Sequence, residues 1–171
     1  RWNGERGKPC RRTELNKNRI TNLSVARQQL QDLLDKNDMA PEELWQQGIL
    51  DIIPVLFPQY VAVIPKVSIE DRITGRRRVI DFLLVDASGN VDVLEIKRAF
   101  QKNKLLMART YRDNYIPARE LGGGISQIEK YIHLLLNWGI DGEKELTKRY
   151  SPLLPQGLKI RFLTPRGILL T

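Results

Sequence analysis

Residues 79–97 (VIDFLLVDASGNVDVLEIK) constrain the fold of this chain more than any other stretch. Two apolar runs flank the segment DASGN at 86–90, whose residue types tolerate turn and left-handed conformations. Apolar side chains occur at both odd and even positions of the runs, so both faces of the resulting strands are largely apolar. We therefore expect a β-hairpin that is covered on both sides.

Three of the charged residues in this apolar hairpin are expected to share one face. If it closes with Val85 opposite Val91, Asp81 lies opposite Glu95, because successive side chains alternate between the two faces. Lys97 then follows two residues along the same face as Glu95, whereas a shift of one residue would move Asp81 to the other face. Burying these charges is costly unless they pair with one another or with a ligand.

Two interpretations of the three charges remain open. In one, the carboxylates of Asp81 and Glu95 lie on a solvated face and Lys97 pairs with Glu95. In the other, the two carboxylates bind a divalent cation, which prefers oxygen ligands, and the nearby ammonium holds a water or a developing negative charge. The apolar neighbours favour the second interpretation, because a strand pair that is covered on both sides leaves no solvated face.

The strands around the hairpin are expected to form an antiparallel meander followed by further elements. The sequence predicts strands at 60–69, 77–85, 91–97, 158–163 and 167–170. Pro65 lies in the first strand and indicates a bulge or an edge position, because proline donates no ladder hydrogen bond. A helix is expected between the third strand and the last two, which makes the domain a mixed α/β arrangement.

Two helices are expected before the first strand. One spans 24–34 and starts at a serine N-cap. The other has Pro41 in its first turn and stops before Pro54. Glu42 and Glu43 complement the positive end of this helix.

The clearest helix covers 121–138. Its apolar residues recur at steps of three and four and define a buried stripe of Ile125, Ile128, Ile132 and Leu135. Gln127 and Tyr131 are four residues apart and lie on an adjacent face, where the amide either faces solvent or reaches a neighbouring site. Glycines at 122–124 would allow a close approach of another element, and a short helix is expected at 141–150.

The chain carries a formal net charge of +8, which favours a polyanionic partner, nucleic acid first and an acidic membrane surface second. Residues 1–22 are a basic arm or linker. Residues 99–120 show no clear period and mix basic with aromatic side chains, so they are either a mobile surface loop or a nucleic-acid contact. The arginines at 76–78 are either a solvated hairpin end or a phosphate-contact patch.

The composition excludes several kinds of site. Cys10 is the only cysteine and His133 the only histidine, so an internal disulfide, a multi-cysteine zinc site and a His-rich metal site are excluded. No apolar run approaches about 18 residues, and no signal peptide is visible, so we expect no membrane span and a cytoplasmic location. The chain starts at Arg1 without a methionine and ends abruptly at Thr171, and we expect it to be part of a longer protein.

The order of these motifs resembles the PD-(D/E)xK nuclease superfamily. Asp81 precedes the sequence Glu95-Ile96-Lys97 at the end of the next strand, and a helix with Gln127 four residues before a tyrosine follows. The runs EELWQQGILDIIPVLF, EIKRA, YRDNYIPARELGGGISQIEKYIHLL and LKIRFLTPRGILL are similar to the catalytic domain of Shedu anti-phage defence nucleases. This resemblance covers 41–171 and leaves 1–40 as an N-terminal arm or linker and helix.

The resemblance implies both a fold and an activity. The fold would be restriction-endonuclease-like, an α/β architecture whose mixed sheet has an antiparallel meander core flanked by helices. The activity would be hydrolysis of DNA phosphodiester bonds with Mg²⁺, or Mn²⁺ in its place, in bacterial anti-phage immunity. Such proteins often act as homo-oligomers. The alternatives are a structure-specific junction or transposition endonuclease, and a nuclease-fold scaffold that binds DNA or a partner without cutting.

The resemblance also implies roles for individual residues. Asp81 and Glu95 would ligate the metal, with the backbone carbonyl of Ile96 as a further ligand. Lys97 would orient or activate the attacking water and stabilise charge on the phosphate, and Gln127 would position Lys97 or the substrate.

A further acid belongs to the same implied site. Glu43 matches the acidic residue that such nucleases carry on their first helix. Glu42 is adjacent to it, and only one of the two can point inward, so the sequence leaves open which of them faces the site.

Overall fold

A computed structural model describes residues 11–35, 42–71, 74–97 and 106–170, with side chains from 22 onward in the first range and from 45 onward in the second. Within these residues the chain forms three α-helices and six β-strands. In chain order they are α1 Arg11–Asp35, α2 Glu42–Leu56, β1 Tyr60–Asp71, β2 Arg76–Asp86, β3 Val91–Ile96, β4 Leu106–Tyr111, β5 Asn114–Pro117, α3 Arg119–Arg149 and β6 Gly167–Leu170.

The main sheet has the strand order β1-β2-β3-β6. Strands β1, β2 and β3 pair antiparallel, which confirms the predicted meander, and β6 pairs parallel to β3 after the crossover through α3. The predicted closure of the central hairpin is confirmed, because Val85 lies opposite Val91 and Phe82 opposite Leu94. The fold is therefore mixed α/β, and Pro65 lies on an edge strand as its chemistry requires.

Both faces of the central hairpin are buried, as its double apolar pattern predicts. Leu83 and Val93 face a core that includes α3, and Leu84 and Leu94 face a second core that includes α2. Every residue of β3 is buried. This placement of one helix layer on each face explains why polar residues within the hairpin are withdrawn from water.

Both N-terminal helices are longer than predicted. Helix α1 begins at Arg11 rather than Ser24, because residues 11–23 contain no glycine or proline and include many good helix formers. Helix α2 continues through Pro54 to Leu56. Proline removes one donor near the end of the helix, and the next turn still closes because the Phe57 amide donates to the carbonyl of Ile53 at 2.8 Å.

The predicted strand at 158–163 is wrong. Arg161 makes an isolated bridge to Asn90, and no longer strand forms at 158–163. The amide of Ile160 donates to the hydroxyl of Thr147, and the amide of Phe162 donates to the carboxylate of Glu143. The alternating apolar residues do enter the core. Their backbone amides, however, donate to side chains of α3 instead of to a neighbouring strand.

Part of the segment at 99–120 is regular, contrary to the expectation of an irregular segment. Strands β4 and β5 form a separate hairpin whose two-residue turn is Arg112-Asp113, with φ of 47° and 63°. Left-handed turns of this length normally use asparagine and glycine, so the sequence carries no recognisable turn signal here. Residues 98–105 lie outside the described residues.

Helix α3 joins the two predicted helices across a kink at Gly139, where φ is 57°. Its buried stripe differs from the prediction at two positions, since Ile125 is 43% exposed and Ile132 is only partly buried. The inward residue one turn before Ile128 is Gly124, which is buried, and Tyr131 continues the stripe. A glycine at an inward position is invisible to an apolar pattern. None of the described helices is long and apolar enough to cross a membrane.

Candidate active site

The central hairpin brings its two predicted acidic residues together where the ladder between β2 and β3 ends. The last paired residues are Phe82 and Leu94, so the next position places Asp81 beside Glu95. The backbone amide of Ile96 donates to Asp81 Oδ2 at 3.3 Å. A carboxylate thus takes the place of a backbone acceptor, which fixes the orientation of the Asp81 side chain.

Glu95 is 1% exposed, and the two oxygens of its carboxylate differ in their partners. Its Oε1 accepts from Lys97 Nζ at 2.6 Å, whereas Oε2 is buried and has no hydrogen-bond partner among the residues that the structure describes. Burial raises the pKa of Glu95, the ion pair with Lys97 opposes that rise, and the charge of Asp81 adds to it. A buried carboxylate oxygen without a donor is costly for folding, so it points to a ligand or a function.

A chain of hydrogen bonds orients Lys97. Its Nζ donates to Gln127 Oε1 at 3.0 Å, Gln127 Nε2 donates to the hydroxyl of Tyr131 at 2.7 Å, and that hydroxyl donates to the carbonyl of Val79 at 2.7 Å. The carbonyl of Val79 can only accept, so the phenol must donate to it and accept from the amide nitrogen. This fixes the amide orientation and directs Oε1 of Gln127 toward the ammonium.

Tyr131 completes the relay and is a residue whose role the sequence reasoning did not assign. Its ring is buried, and burial raises the pKa of its hydroxyl, with smaller increases from the charges of Glu95 and Asp81. The phenol therefore remains a proton donor and anchors Gln127 to the backbone of β2. The spacing of four residues was the available signal, because it places both side chains on one face of α3.

Gly124 lets α3 approach the site closely. A Cβ atom at this position would lie 3.1 Å from Leu169 Cδ1 and 3.5 Å from Lys97 Cγ. The helix therefore packs directly on β6 and on the stem of the lysine. Among the described residues, no atom lies within 4 Å of a Cβ built at Gly122 or Gly123, so only Gly124 of these three glycines is in close contact with its surroundings there.

Lys66 is a site residue that sequence reasoning missed. Its Nζ lies 3.0 Å from Asp81 Oδ1, and its backbone has a φ of 50° within β1. The ladder pairs Pro65 with Phe82 and Val67 with Ile80, which places Lys66 opposite Asp81. The only sequence signal was Pro65, which indicated an irregular or edge position without pointing to its neighbour.

The predicted residues on strands and on α3 converge, and those on α2 are not tested. Asp81, Glu95, Lys97 and Gln127 form one connected cluster. Glu42 and Glu43 lie in the first turn of α2, but their side chains are outside the described part of the chain. Among the described residues, no group of three or more His, Cys, Asp or Glu side chains could hold a metal ion.

A second buried carboxylate shows what a fully satisfied site looks like here. Asp92 accepts from the hydroxyl of Tyr60 at 2.5 Å, and from the backbone and guanidinium of Arg166. Burial acts to raise the pKa of Asp92, but the hydrogen bonds from Arg166 and Tyr60 outweigh it and lower the pKa. Burial and the bond to Asp92 raise the pKa of Tyr60 to about 12. This cluster ties the start of β6 to β3 and leaves both Asp92 oxygens partnered.

Basic and aromatic side chains are exposed on the β4–β5 hairpin. All residues of β4 are exposed, and so are Arg112 and Tyr115. The guanidinium of Arg112 lies over the ring of Tyr111, 5.3 Å from its centroid. A surface of this kind presents cations and flat rings together, which suits phosphates and unstacked bases.

The comparison with protein families identifies the family of this chain. No curated protein matches its sequence. The family model described as "Shedu protein SduA, C-terminal" matches residues 39–171, which is well over half of the chain and includes every residue of the cluster described above. The chain therefore belongs to the Shedu family.

Proposed function

We propose that this domain is a metal-dependent DNA endonuclease of the PD-(D/E)xK type, with a restriction-endonuclease-like fold, acting in bacterial anti-phage defence. Membership of the Shedu family supports the context. The observation that carries the proposal is the buried Glu95, whose Oε2 has no partner in the described structure and which stands beside Asp81 and Lys97. Two carboxylates and an ammonium at one point are the residues that phosphodiester hydrolysis needs.

The donor set fits a hard divalent cation such as Mg²⁺ or Mn²⁺. Asp81 and Glu95 supply carboxylate oxygens, and the backbone carbonyl of Ile96 is the proposed third protein ligand. Mg²⁺ commonly takes one or two carboxylates and completes its shell with water and substrate phosphate, so a two-carboxylate site is sufficient. Glu43 remains a proposed additional acid from α2.

The protein's own groups then divide the catalytic work. A bound cation would lower the pKa of a coordinated water and offset charge on the scissile phosphate. Lys97, held by Glu95 and Gln127, donates to the attacking water or to a phosphate oxygen. Tyr131 keeps Gln127 in place through the carbonyl of Val79, so the ammonium is positioned before substrate arrives.

The DNA would be held mainly through its backbone. The net charge of +8 favours a polyanion, and the exposed β4–β5 hairpin adds arginine and tyrosine side chains. Binding through phosphates releases counter-ions, so affinity should fall steeply with salt concentration. A homo-oligomeric state also stays a proposal, and its direct measure is the mass of the protein in solution.

A cleavage assay tests the proposal. Purified protein is incubated with supercoiled plasmid and linear DNA in Mg²⁺ and in EDTA. We expect cleavage in Mg²⁺ alone, and a loss of about a hundredfold or more in Asp81→Asn, Glu95→Gln and Lys97→Met, because each removes charge at the reacting phosphate. Glu129→Gln and Lys130→Met change the same residue types on the exposed part of α3, and they should cut like the parent.

The same assay separates the alternatives. If all three site variants cut as well as the parent, the assignment of the site is wrong. A strong preference for branched or end-specific substrates in a panel that includes four-way junctions would indicate the structure-specific endonuclease. Absence of cleavage on every substrate, together with absence of Mg²⁺ or Mn²⁺ binding in calorimetry with and without DNA, would indicate the non-cleaving scaffold.

A further inference from the structure

Lys66 has a left-handed backbone conformation, which is unusual inside a β-strand. It is a non-glycine residue with φ of 50° in the middle of the edge strand β1. Left-handed backbone is unfavourable for a residue with a Cβ atom, and such residues cluster at functional sites where the surroundings hold them. Its side chain crosses to Asp81, so the strained residue lies at the candidate active site rather than in a surface turn.

Among the described side chains, the charges of the site balance without a metal ion. Asp81 Oδ2 accepts from the amide of Ile96, Asp81 Oδ1 pairs with Lys66, and Glu95 Oε1 pairs with Lys97. Two ammonium groups therefore face two carboxylates. Of the four carboxylate oxygens, Glu95 Oε2 is the one without a partner in the described residues.

This arrangement restricts how a cation can bridge the two carboxylates. Glu95 Oε2 has no partner among the described residues, and Asp81 Oδ2 already accepts from the backbone amide of Ile96 in β3. The remaining oxygen is Asp81 Oδ1, which Lys66 covers. The lysine side chain is 52% exposed, so it can leave without disturbing the core.

We propose that Lys66 is a displaceable counter-ion, whose ammonium holds Asp81 Oδ1 in the metal-free protein and gives up that oxygen to the incoming divalent cation. The inference rests on the proposed metal-dependent function and adds a competitor to it. An ordinary surface ion pair contributes little to stability and would not account for the left-handed backbone at Lys66. If Lys66 offsets the repulsion between the two carboxylates before the metal arrives, that role accounts for both its ion pair with Asp81 and its left-handed backbone.

Metal titration measures the competition without relying on catalysis. Mn²⁺ is titrated by calorimetry into EDTA-treated parent, Lys66→Met and Lys130→Met proteins in the absence of DNA. Lys130 is a matched control because it is 44% exposed and its Nζ lies 3.8 Å from a different buried aspartate, Asp71. We expect Lys66→Met to bind Mn²⁺ about three- to tenfold more tightly than the parent, because the variant lacks a partly solvent-screened positive charge that competes with the metal. Lys130→Met should match the parent.

A second variant guards against a folding artefact. Lys66→Gly removes the same ammonium and places at this position the residue that adopts positive φ most readily, so it should fold and show the same gain in affinity.

The possible outcomes separate the inference from the proposed function. Equal or weaker Mn²⁺ binding in both Lys66 variants, with a parent that binds Mn²⁺, overturns the inference and leaves the metal-dependent nuclease standing. Binding in the variants but not in the parent supports it in its strongest form. No binding in parent or variants overturns the inference and the proposed function together.

Discussion

At the scale of single residues, two buried carboxylates on β3 differ in whether their oxygens are satisfied. Asp92 has donors on both oxygens, and its pKa is lowered. Glu95 keeps a partnerless oxygen within the described structure, and its pKa is raised, chiefly by burial. A structural acid is expected to look like Asp92, and an acid that waits for a ligand is expected to look like Glu95.

The raised pKa of Glu95 has a definite consequence for stability. Because the folded protein holds this proton more tightly than the unfolded chain, the contribution of Glu95 to stability is fully present below its ordinary pKa of 4.5 and is lost as the pH rises through the folded value. We therefore expect Glu95→Gln to be more stable than the metal-free parent at pH 7, by about 1 kcal/mol. Thermal melts in EDTA between pH 4 and 8 measure this difference, which should shrink toward pH 4.

The ion pair with Lys97 acts in the opposite direction, because it favours the charged form of Glu95. If Glu95→Gln is less stable than the parent at pH 7 in EDTA, the ion pair outweighs the burial, and Glu95 is a structural residue. Glu129→Gln serves as the control on the exposed part of α3 and should show no pH-dependent difference.

At the scale of elements, the packing of α3 against β6 sets the position of Lys97, the proposed catalytic lysine. Gly124→Ala would bring a Cβ atom to 3.1 Å from Leu169 and 3.5 Å from Lys97, whereas the Cβ of Gly123→Ala meets no atom of the described residues within 4 Å. Both substitutions gain helix propensity of about 0.5–1 kcal/mol. We expect Gly123→Ala to be stabilised with unchanged cleavage, and Gly124→Ala to lose that gain and to cut about tenfold more slowly because Lys97 moves.

Urea denaturation and initial cleavage rates of the two glycine variants provide the comparison. Equal stability gains and equal rates would mean that Leu169 adjusts freely and that close approach at Gly124 has no bearing on Lys97.

The β4–β5 hairpin is an element with its side chains in solvent. An isolated two-stranded hairpin contributes little to the stability of the fold, and exposed connecting segments often carry binding residues. We therefore expect this hairpin to bind a partner. We predict that changing both Arg109 and Arg112 to alanine weakens DNA binding about tenfold at 0.1 M salt and reduces the slope of log affinity against log salt by about two. Fluorescence anisotropy with a labelled duplex in Ca²⁺ measures both quantities.

A matched pair of charges controls for the loss of two cations. Lys144 and Lys148 are exposed on the second half of α3, beyond the kink at Gly139. If the double alanine change at these lysines weakens binding as much as the change in the hairpin, the effect comes from net charge and the hairpin is not a specific contact.

At the scale of the whole molecule, the sequence predicted what depends on local period and missed what depends on backbone geometry between strands. The two-residue alternation gave the meander and the register of Asp81 with Glu95, and helical spacing placed Gln127 with Tyr131. Lys66 could not be found, because its left-handed backbone follows from the shape of the edge strand around the site and not from neighbouring residue types. The turn at Arg112 was missed in the same way, because its left-handed residues are not the glycine or asparagine that usually mark such a turn.

Other errors came from assuming that strong local signals end elements. Ser24 is a good N-cap residue, yet α1 runs through it, and Pro54 lies inside α2. The strand expected at 158–163 has the right apolar alternation but finds side chains of α3 in place of a neighbouring strand. These outcomes depend on tertiary partners, which a single sequence does not specify.

The central claim is that Asp81 and Glu95 together bind a divalent cation. Crystals soaked in Mn²⁺ test it directly through the anomalous signal of the metal. The account predicts a peak beside the carboxylates of Asp81 and Glu95, with the Lys66 side chain moved off Asp81 and Lys97 still bonded to Gln127. Absence of a peak at this position under saturating Mn²⁺, with Lys66 Nζ still paired to Asp81, would contradict it.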